Sequence, residues 1–177
     1  MQIKFGLSEI PALADGYWSS NLPQDQDRET KIDTIIAPEI RKRGWFTKLE
    51  LVEMCRWKTP RSQPRVASNQ EKFIRAVTQT ALSTTDERLR IEVLTLLKGV
   101  SWPTASVILH FCHPEPYPIL DFRALWSLGV DKPPVYDFDF WMEYTNICRG
   151  LTHEAGVSMR MLDRALWQYS KENQGKE

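Results

Sequence analysis

The sequence predicts an all-α fold, and two observations lead to that prediction. Apolar residues recur at helical spacing in one segment after another of the 177-residue chain. Few segments show the apolar–polar alternation that is typical of a β-strand. The length suits one domain, residues 1–177, in which we expect a compact helical bundle of two subdomains.

Composition narrows the classes of function. The formal net charge of zero argues against a protein that coats DNA without specificity, but it leaves room for a local basic patch. Three cysteines, Cys55, Cys112 and Cys148, lie far apart in sequence, so we predict no metal site and expect reduced thiols. No signal peptide or membrane-spanning apolar run is visible, and we expect a cytoplasmic protein without membrane contact.

The elements before residue 91 are predicted from residues that cap helices and from prolines and glycines that interrupt them. Pro11, Gly16 and Pro23 predict an irregular N-terminal arm over residues 1–26. A helix is predicted over residues 27–43 with a kink at Pro38, and another over residues 47–55 with a capping box from Thr47 to Glu50. A third is predicted over residues 68–82, with Phe73, Ile74, Val77 and Ala81 facing inward. A fourth helix, capped by Ser83, Thr84 or Thr85, is predicted to run to residue 97. Beyond residue 129 we predict helices over residues 138–151 and 158–170.

Residues 91–112 are predicted to form two helices joined by a tight turn. Gly99 can take the left-handed conformation that ends a helix, Ser101 can cap the next helix, and Pro103 suits its first turn. Such a turn presents backbone N–H groups and the positive end of a helix dipole to an anion, here a phosphodiester of DNA. The predicted phosphate-binding residues are Gly99, Val100, Ser101 and Thr104.

Residues 56–65 form the most DNA-like segment of the chain, with four cations, one tryptophan and no acid. We expect a loop in which Lys58, Arg61 and Arg65 contact phosphates. Trp57 has two open interpretations. It either stacks on or inserts between bases, or it packs on the protein core beneath a solvated loop.

Residues 117–129 carry a candidate catalytic group. Asp121 follows three apolar residues and a proline-rich loop, and it precedes a predicted helix. A carboxylate in this position is either the N-cap of that helix or a catalytic residue, and the residues alone leave both interpretations open.

Two of these stretches resemble one protein family. Residues 97–106, LKGVSWPTAS, resemble the hairpin of the helix-hairpin-helix (HhH-GPD) DNA glycosylase superfamily, of the endonuclease III and adenine glycosylase type. Residues 118–121, PILD, resemble the catalytic element of the same family, at a fitting distance from the hairpin. The resemblance implies a helical DNA glycosylase fold with a helix-hairpin-helix motif, and it makes Asp121 the catalytic carboxylate.

Departures from the family pattern bear on the chemistry. Ser101 stands where family hairpins usually carry a second glycine. Pro103 stands where DNA-nicking members carry a lysine nucleophile, so the resemblance implies an enzyme without lyase activity. Three scattered cysteines cannot build the iron–sulfur cluster of some members. No cofactor is therefore implied, apart from room for a monovalent cation at the carbonyls of the hairpin.

The implied activity is that of a monofunctional DNA glycosylase, acting as a monomer on double-stranded DNA in the nucleoid. It would flip a damaged base, or a modified base of invading phage DNA, and hydrolyse the N-glycosidic bond to leave an abasic site. The candidates for a base pocket or wedge are Trp57, Trp102, Tyr117 and Trp18. The alternative is a non-catalytic helix-hairpin-helix DNA-binding module, in which Asp121 is only a cap. A helical protein-interaction domain is a third interpretation, consistent with the zero net charge.

Overall fold

The computed structural model describes residues 1–175, which form helices and no β-strand, so the predicted all-α fold is confirmed. The α-helices are, in chain order, α1 (Ile10–Ser20), α2 (Pro23–Lys31), α3 (Ala37–Arg43), α4 (Lys48–Lys58), α5 (Gln63–Ala67), α6 (Glu71–Ser83), α7 (Glu87–Glu92), α8 (Trp102–Cys112), α9 (Phe122–Ser127), α10 (Phe138–Ala155) and α11 (Met159–Asn173). Shorter 3₁₀ turns cover Leu7–Glu9, Pro60–Ser62 and Val93–Leu96, and a π-helical turn covers Ile32–Ile36.

The chain divides into two compact units. Pro23–Glu115 forms the first, which we call the hairpin unit. Met1–Leu22 and the chain from Pro116 onward form the second, which we call the terminal unit. The hairpin unit therefore contains α2 to α8, and the terminal unit contains α1 and α9 to α11. Among the helices of the described residues, none is long and apolar enough to cross a lipid bilayer.

Local chemistry sets the first helices of the hairpin unit. Pro38 lies in the first turn of α3, directly after the π-helical turn, so the kink predicted at this proline takes the form of a widened turn. Gly44 ends α3 with a φ of +82°, and its N–H donates to Ile40 O at 2.6 Å. Thr47 starts α4 with the predicted capping box, in which its hydroxyl accepts from the Glu50 N–H.

Helix α6 buries a narrower stripe than we predicted. Ile74, Val77 and Ala81 are buried, whereas Phe73 is 42% exposed, so the prediction for Phe73 is wrong. Successive positions on a helix point in different directions, and the stripe through Ile74 leaves the preceding residue at its edge.

Three helix starts differ from the predictions. Helix α2 begins at Pro23, four residues before the predicted start at residue 27. Helix α6 begins at Glu71 after Gln70, so Ser68 does not open it. Helix α7 is capped by Asp86, whose carboxylate accepts from the Leu89 N–H at 2.7 Å. The prediction of Ser83, Thr84 or Thr85 as the cap is wrong, because Asp86 lies closer to the helix and an aspartate caps as well as serine or threonine does.

The terminal unit corrects the prediction of an irregular N-terminal arm. Pro11 lies in the first turn of α1, where its missing N–H costs no hydrogen bond. Gly16 lies within the helix, and a Cβ there would be 3.6 Å from the Gln168 side chain of α11. Pro11 and Gly16 therefore both fit a helix, because Pro11 lies at its start and Gly16 faces the Gln168 side chain.

All three cysteines are buried as free thiols. Burial raises the pKa of Cys55 to about 12. Burial also raises the pKa of Cys112 and of Cys148 above the ordinary value for a thiol. Because the thiolate is the reactive form, these side chains act as small apolar residues of the core.

Candidate functional site

The hairpin turn lies between Leu97 and Val100. The Val100 N–H donates to Leu97 O at 3.0 Å, and Gly99 has the predicted positive φ, +82°. The first predicted helix of the hairpin is shorter than expected, because α7 ends at Glu92 and a 3₁₀ turn over Val93–Leu96 replaces its last turn. The second helix, α8, ends at Cys112, as predicted.

The N-terminus of α8 has no side-chain cap. Ser101 holds the N-cap position, but its side chain makes no capping hydrogen bond, so the prediction that it caps the helix is wrong. Pro103 lies in the first turn, as predicted. Thr104, predicted to contact phosphate, is only 1% exposed, so its side chain is not accessible to a ligand. The donors of this first turn are not satisfied within the helix.

The hairpin packs against the segment that we predicted to be a basic loop. A Cβ on Gly99 would lie 2.9 Å from Val66 Cγ2, 3.1 Å from Arg65 Cβ and 3.1 Å from Ser62 O. Glycine is needed at position 99 for two reasons, the positive φ and this close approach.

The predicted basic loop is itself helical. It consists of the last turn of α4, the 3₁₀ turn Pro60–Ser62 and the short helix α5. Arg61 and Arg65 are exposed, as is Lys98 of the hairpin turn, and no acidic partner of these three cations lies among the described residues. Lys58 is partly buried at the end of α4.

Asn69 joins the two segments and was missed by the sequence interpretation. It is 4% exposed, and its Nδ2 donates to Val66 O at 2.8 Å and to Lys98 O at 3.0 Å. Its Oδ1 accepts from the Lys98 N–H at 2.9 Å. No local pattern could have identified this residue, because one of its two partners lies 29 positions further along the chain.

Two of the aromatic candidates lie against aromatic neighbours of their own unit. Trp57 is partly buried and meets the Phe111 ring edge to face, with centroids 5.4 Å apart. This packing matches the interpretation that placed Trp57 on the core. Tyr117 is fully buried and stacks on Trp141 at 5.5 Å.

The other two aromatic candidates are partly exposed. Trp18 of α1 lies under the guanidinium of Arg164, which is 4.7 Å from the centre of the indole ring. Trp102 is the first residue of α8, so it lies beside the uncapped N-terminus. Of the four candidates, Trp102 has the position best suited to meet a nucleotide bound at the hairpin.

Asp121 belongs to the terminal unit, where it is the N-cap of α9. Its Oδ1 accepts from the Arg123 N–H at 2.9 Å, and the residue is partly exposed. The segment that precedes Asp121 is anchored to α10, because the Tyr144 hydroxyl of α10 donates to Ile119 O at 2.9 Å. The cap interpretation of Asp121 is thus correct, and the cap bond sets the direction of its carboxylate.

The surroundings of Asp121 are aromatic. Burial, and secondarily the nearby Asp121 carboxylate, raise the pKa of Tyr136 above its ordinary value. Burial holds the pKa of Tyr144 well above the usual range, so this hydroxyl stays protonated and remains a donor. Phe122, the residue after Asp121, is 55% exposed.

Nothing in the described residues suggests a metal centre, since no group of three or more histidine, cysteine or acidic side chains is placed to hold an ion. Comparisons with known proteins add no relative: no protein-family model, no curated protein and no solved structure matches the chain.

Proposed function

We propose that this protein is a monofunctional DNA glycosylase. The observation that carries the proposal is Asp121, a partly exposed carboxylate held in one orientation by its cap bond to the Arg123 N–H. The resemblance of residues 118–121 to a glycosylase catalytic element supports the same assignment. The hairpin and its neighbouring cations supply the means of binding DNA.

DNA binding is proposed to begin at the hairpin. The uncapped first turn of α8 offers backbone N–H groups to a phosphate, and Arg61, Arg65 and Lys98 add positive charge. These contacts position duplex DNA without reading its sequence. The target nucleotide is then unstacked and flipped, because a base within the duplex cannot be reached.

The chemical step is hydrolysis of the bond between C1′ of the sugar and the base nitrogen. As this bond lengthens, positive charge develops on the sugar, and the Asp121 carboxylate stabilises it. The same carboxylate orients a water whose oxygen bonds to C1′. The base leaves with the electrons of the broken bond, and the proton released by the water balances its charge.

No cofactor is needed for this reaction. A monovalent cation held by carbonyls of the hairpin would add a further contact to phosphate. We propose that the enzyme works as a monomer on double-stranded DNA in the cytoplasm, at the nucleoid. The substrate is a damaged base or a modified base, of which the modified bases of invading phage DNA are one class.

The test is incubation of the protein with duplexes of varied base chemistry, followed by mass spectrometry of the released bases. A free base and an abasic product support the proposal. Binding to DNA without release of any base would contradict it.

A non-catalytic DNA-binding module is the second candidate. The cap bond of Asp121 favours it, because helix capping alone accounts for an aspartate at this position. This candidate shares the salt-dependent binding of the first and differs in predicting no base release.

A further inference from the structure

The amide of Asn69 acts as a bridge between two parts of the hairpin unit. On one side it bonds both the N–H and the C=O of Lys98, in the hairpin turn. On the other side it bonds Val66 O, in the basic segment that runs from Lys58 to Arg65 and into α5. Its donor and acceptor groups are therefore used within the protein, and its 4% exposure leaves it unable to contact DNA.

Packing reinforces this bridge. The α-carbon of Gly99 approaches the basic segment so closely that a Cβ would meet Val66, Arg65 and Ser62 within 3.1 Å. A turn held by two hydrogen bonds to the Asn69 side chain and by close contact has little freedom to move alone.

The bridge joins two segments that each carry exposed cations. Arg61 and Arg65 extend from the basic segment and Lys98 from the turn, and all three are exposed without an acidic partner in the described chain. Cations without acidic partners are available to an anionic ligand such as a phosphate.

We propose that Asn69 is a positioning residue that holds the hairpin turn and the basic segment as one surface for neighbouring phosphates of the DNA backbone. This inference rests on the proposed DNA binding. It adds that the hairpin turn and the basic segment contact DNA as a unit, because one buried side chain holds their backbones together.

The test is a double-mutant cycle on DNA binding with Asn69→Ala and Arg61→Gln. Asn69→Ala should weaken binding by about tenfold, because the loosened turn has to be ordered again on the DNA. Arg61→Gln should cost less in the Asn69→Ala protein than in wild type, with a coupling of about threefold. Arg61→Gln should also lower the salt slope by about one unit in wild type and by less in the double mutant.

Asn173→Ala is the matched control, because its Nδ2 also donates to a backbone carbonyl, Tyr169 O at 2.9 Å, in the terminal unit. It should leave affinity unchanged and show no coupling to Arg61→Gln. Circular dichroism and thermal melting of each variant check that it is folded.

Hydrogen exchange on the wild-type protein gives a second measurement that needs no variant. The amides of residues 97–100 and 61–66 should gain protection together, over the same range of DNA concentration. Protection of only one segment, or additive effects in the cycle, would overturn the positioning role and leave the proposed function standing. A wild-type protein that binds no DNA would overturn both.

Discussion

The N-termini of α8 and α9 are built in opposite ways. Helix α8 starts at Ser101, whose side chain makes no capping hydrogen bond to the first turn. Helix α9 starts at Asp121, whose carboxylate bonds the Arg123 N–H. An uncapped terminus suits anion binding, whereas a capped one holds its carboxylate in a fixed direction. In the function proposed above, α8 belongs to the binding of DNA and α9 to the chemical step, so each proposed role can be tested alone.

The largest effect is expected at α9. Asp121→Asn should reduce base release by about a hundredfold to a thousandfold, as loss of one transition-state contact does in other enzymes. DNA affinity and folding should be retained, because asparagine caps helices as well as aspartate. Single-turnover base release and a binding titration on the same duplex measure the two effects.

Asp137→Asn is the matched control for this change. Asp137 caps α10 in the same unit, and its Oδ1 accepts from the Phe140 N–H at 2.9 Å. Its substitution should leave the rate of base release within a few-fold of wild type. Equal rates for the two variants would reduce Asp121 to a cap and leave the non-catalytic module as the better account.

A smaller effect is expected at the hairpin that precedes α8. Gly99→Val should weaken binding to every DNA sequence by about tenfold, because a side chain at positive φ strains the turn. The salt slope should stay nearly constant, since no cationic side chain is lost. Gly44→Val is the control, because Gly44 has the same φ of +82° but no atom within 4 Å of its Cβ position.

Salt titration of both glycine variants, with circular dichroism to confirm folding, gives the comparison. A folded Gly99→Val protein that binds DNA as wild type does would remove the hairpin from the interface. The proposed function would then depend on Asp121 alone.

A still smaller effect is expected for single cations. Arg61→Gln should lower the slope of binding against salt concentration by about one unit, if Arg61 neutralises one phosphate. Arg75→Gln is the control, because Arg75 of α6 is also exposed but its guanidinium lies over the Trp45 ring. An unchanged slope for Arg61→Gln would assign the electrostatic contact to another part of the chain.

No effect at all is expected in a test for strand cleavage. Elimination at an abasic site needs an amine that forms a Schiff base with the sugar, and Pro103 has none. Borohydride treatment of the protein with abasic DNA should therefore trap no adduct. An efficiently trapped adduct would point to another amine, for which exposed Lys98 is the first candidate, with Lys98→Ala as the check.

Helix boundaries set by local chemistry were predictable from the sequence. The capping box from Thr47 to Glu50 and the left-handed Gly99 are correct, because each depends on residues within one turn. The N-cap position of Asp121 follows from the same kind of local chemistry.

Features that depend on distant partners were not predictable. Gly16 indicated a break in the helix, but in the structure it lies within α1 and faces the Gln168 side chain of α11. Phe73 has the spacing of a core residue but lies at the edge of the buried stripe of α6. Asn69 gave no signal, because an asparagine that bonds Lys98 looks in sequence like any loop residue. Tertiary packing decides such positions, and a single sequence records it only indirectly.

The buried thiols are probes of local opening in each unit. Cys55 and Cys112 lie in the hairpin unit and Cys148 lies in the terminal unit. A thiol reagent needs both access to the sulfur and a thiolate, and burial denies both while the protein is closed. The labelling rate of each cysteine therefore measures how often its own surroundings open. The rate of local opening can thus be measured separately in the two units from the labelling of their own cysteines.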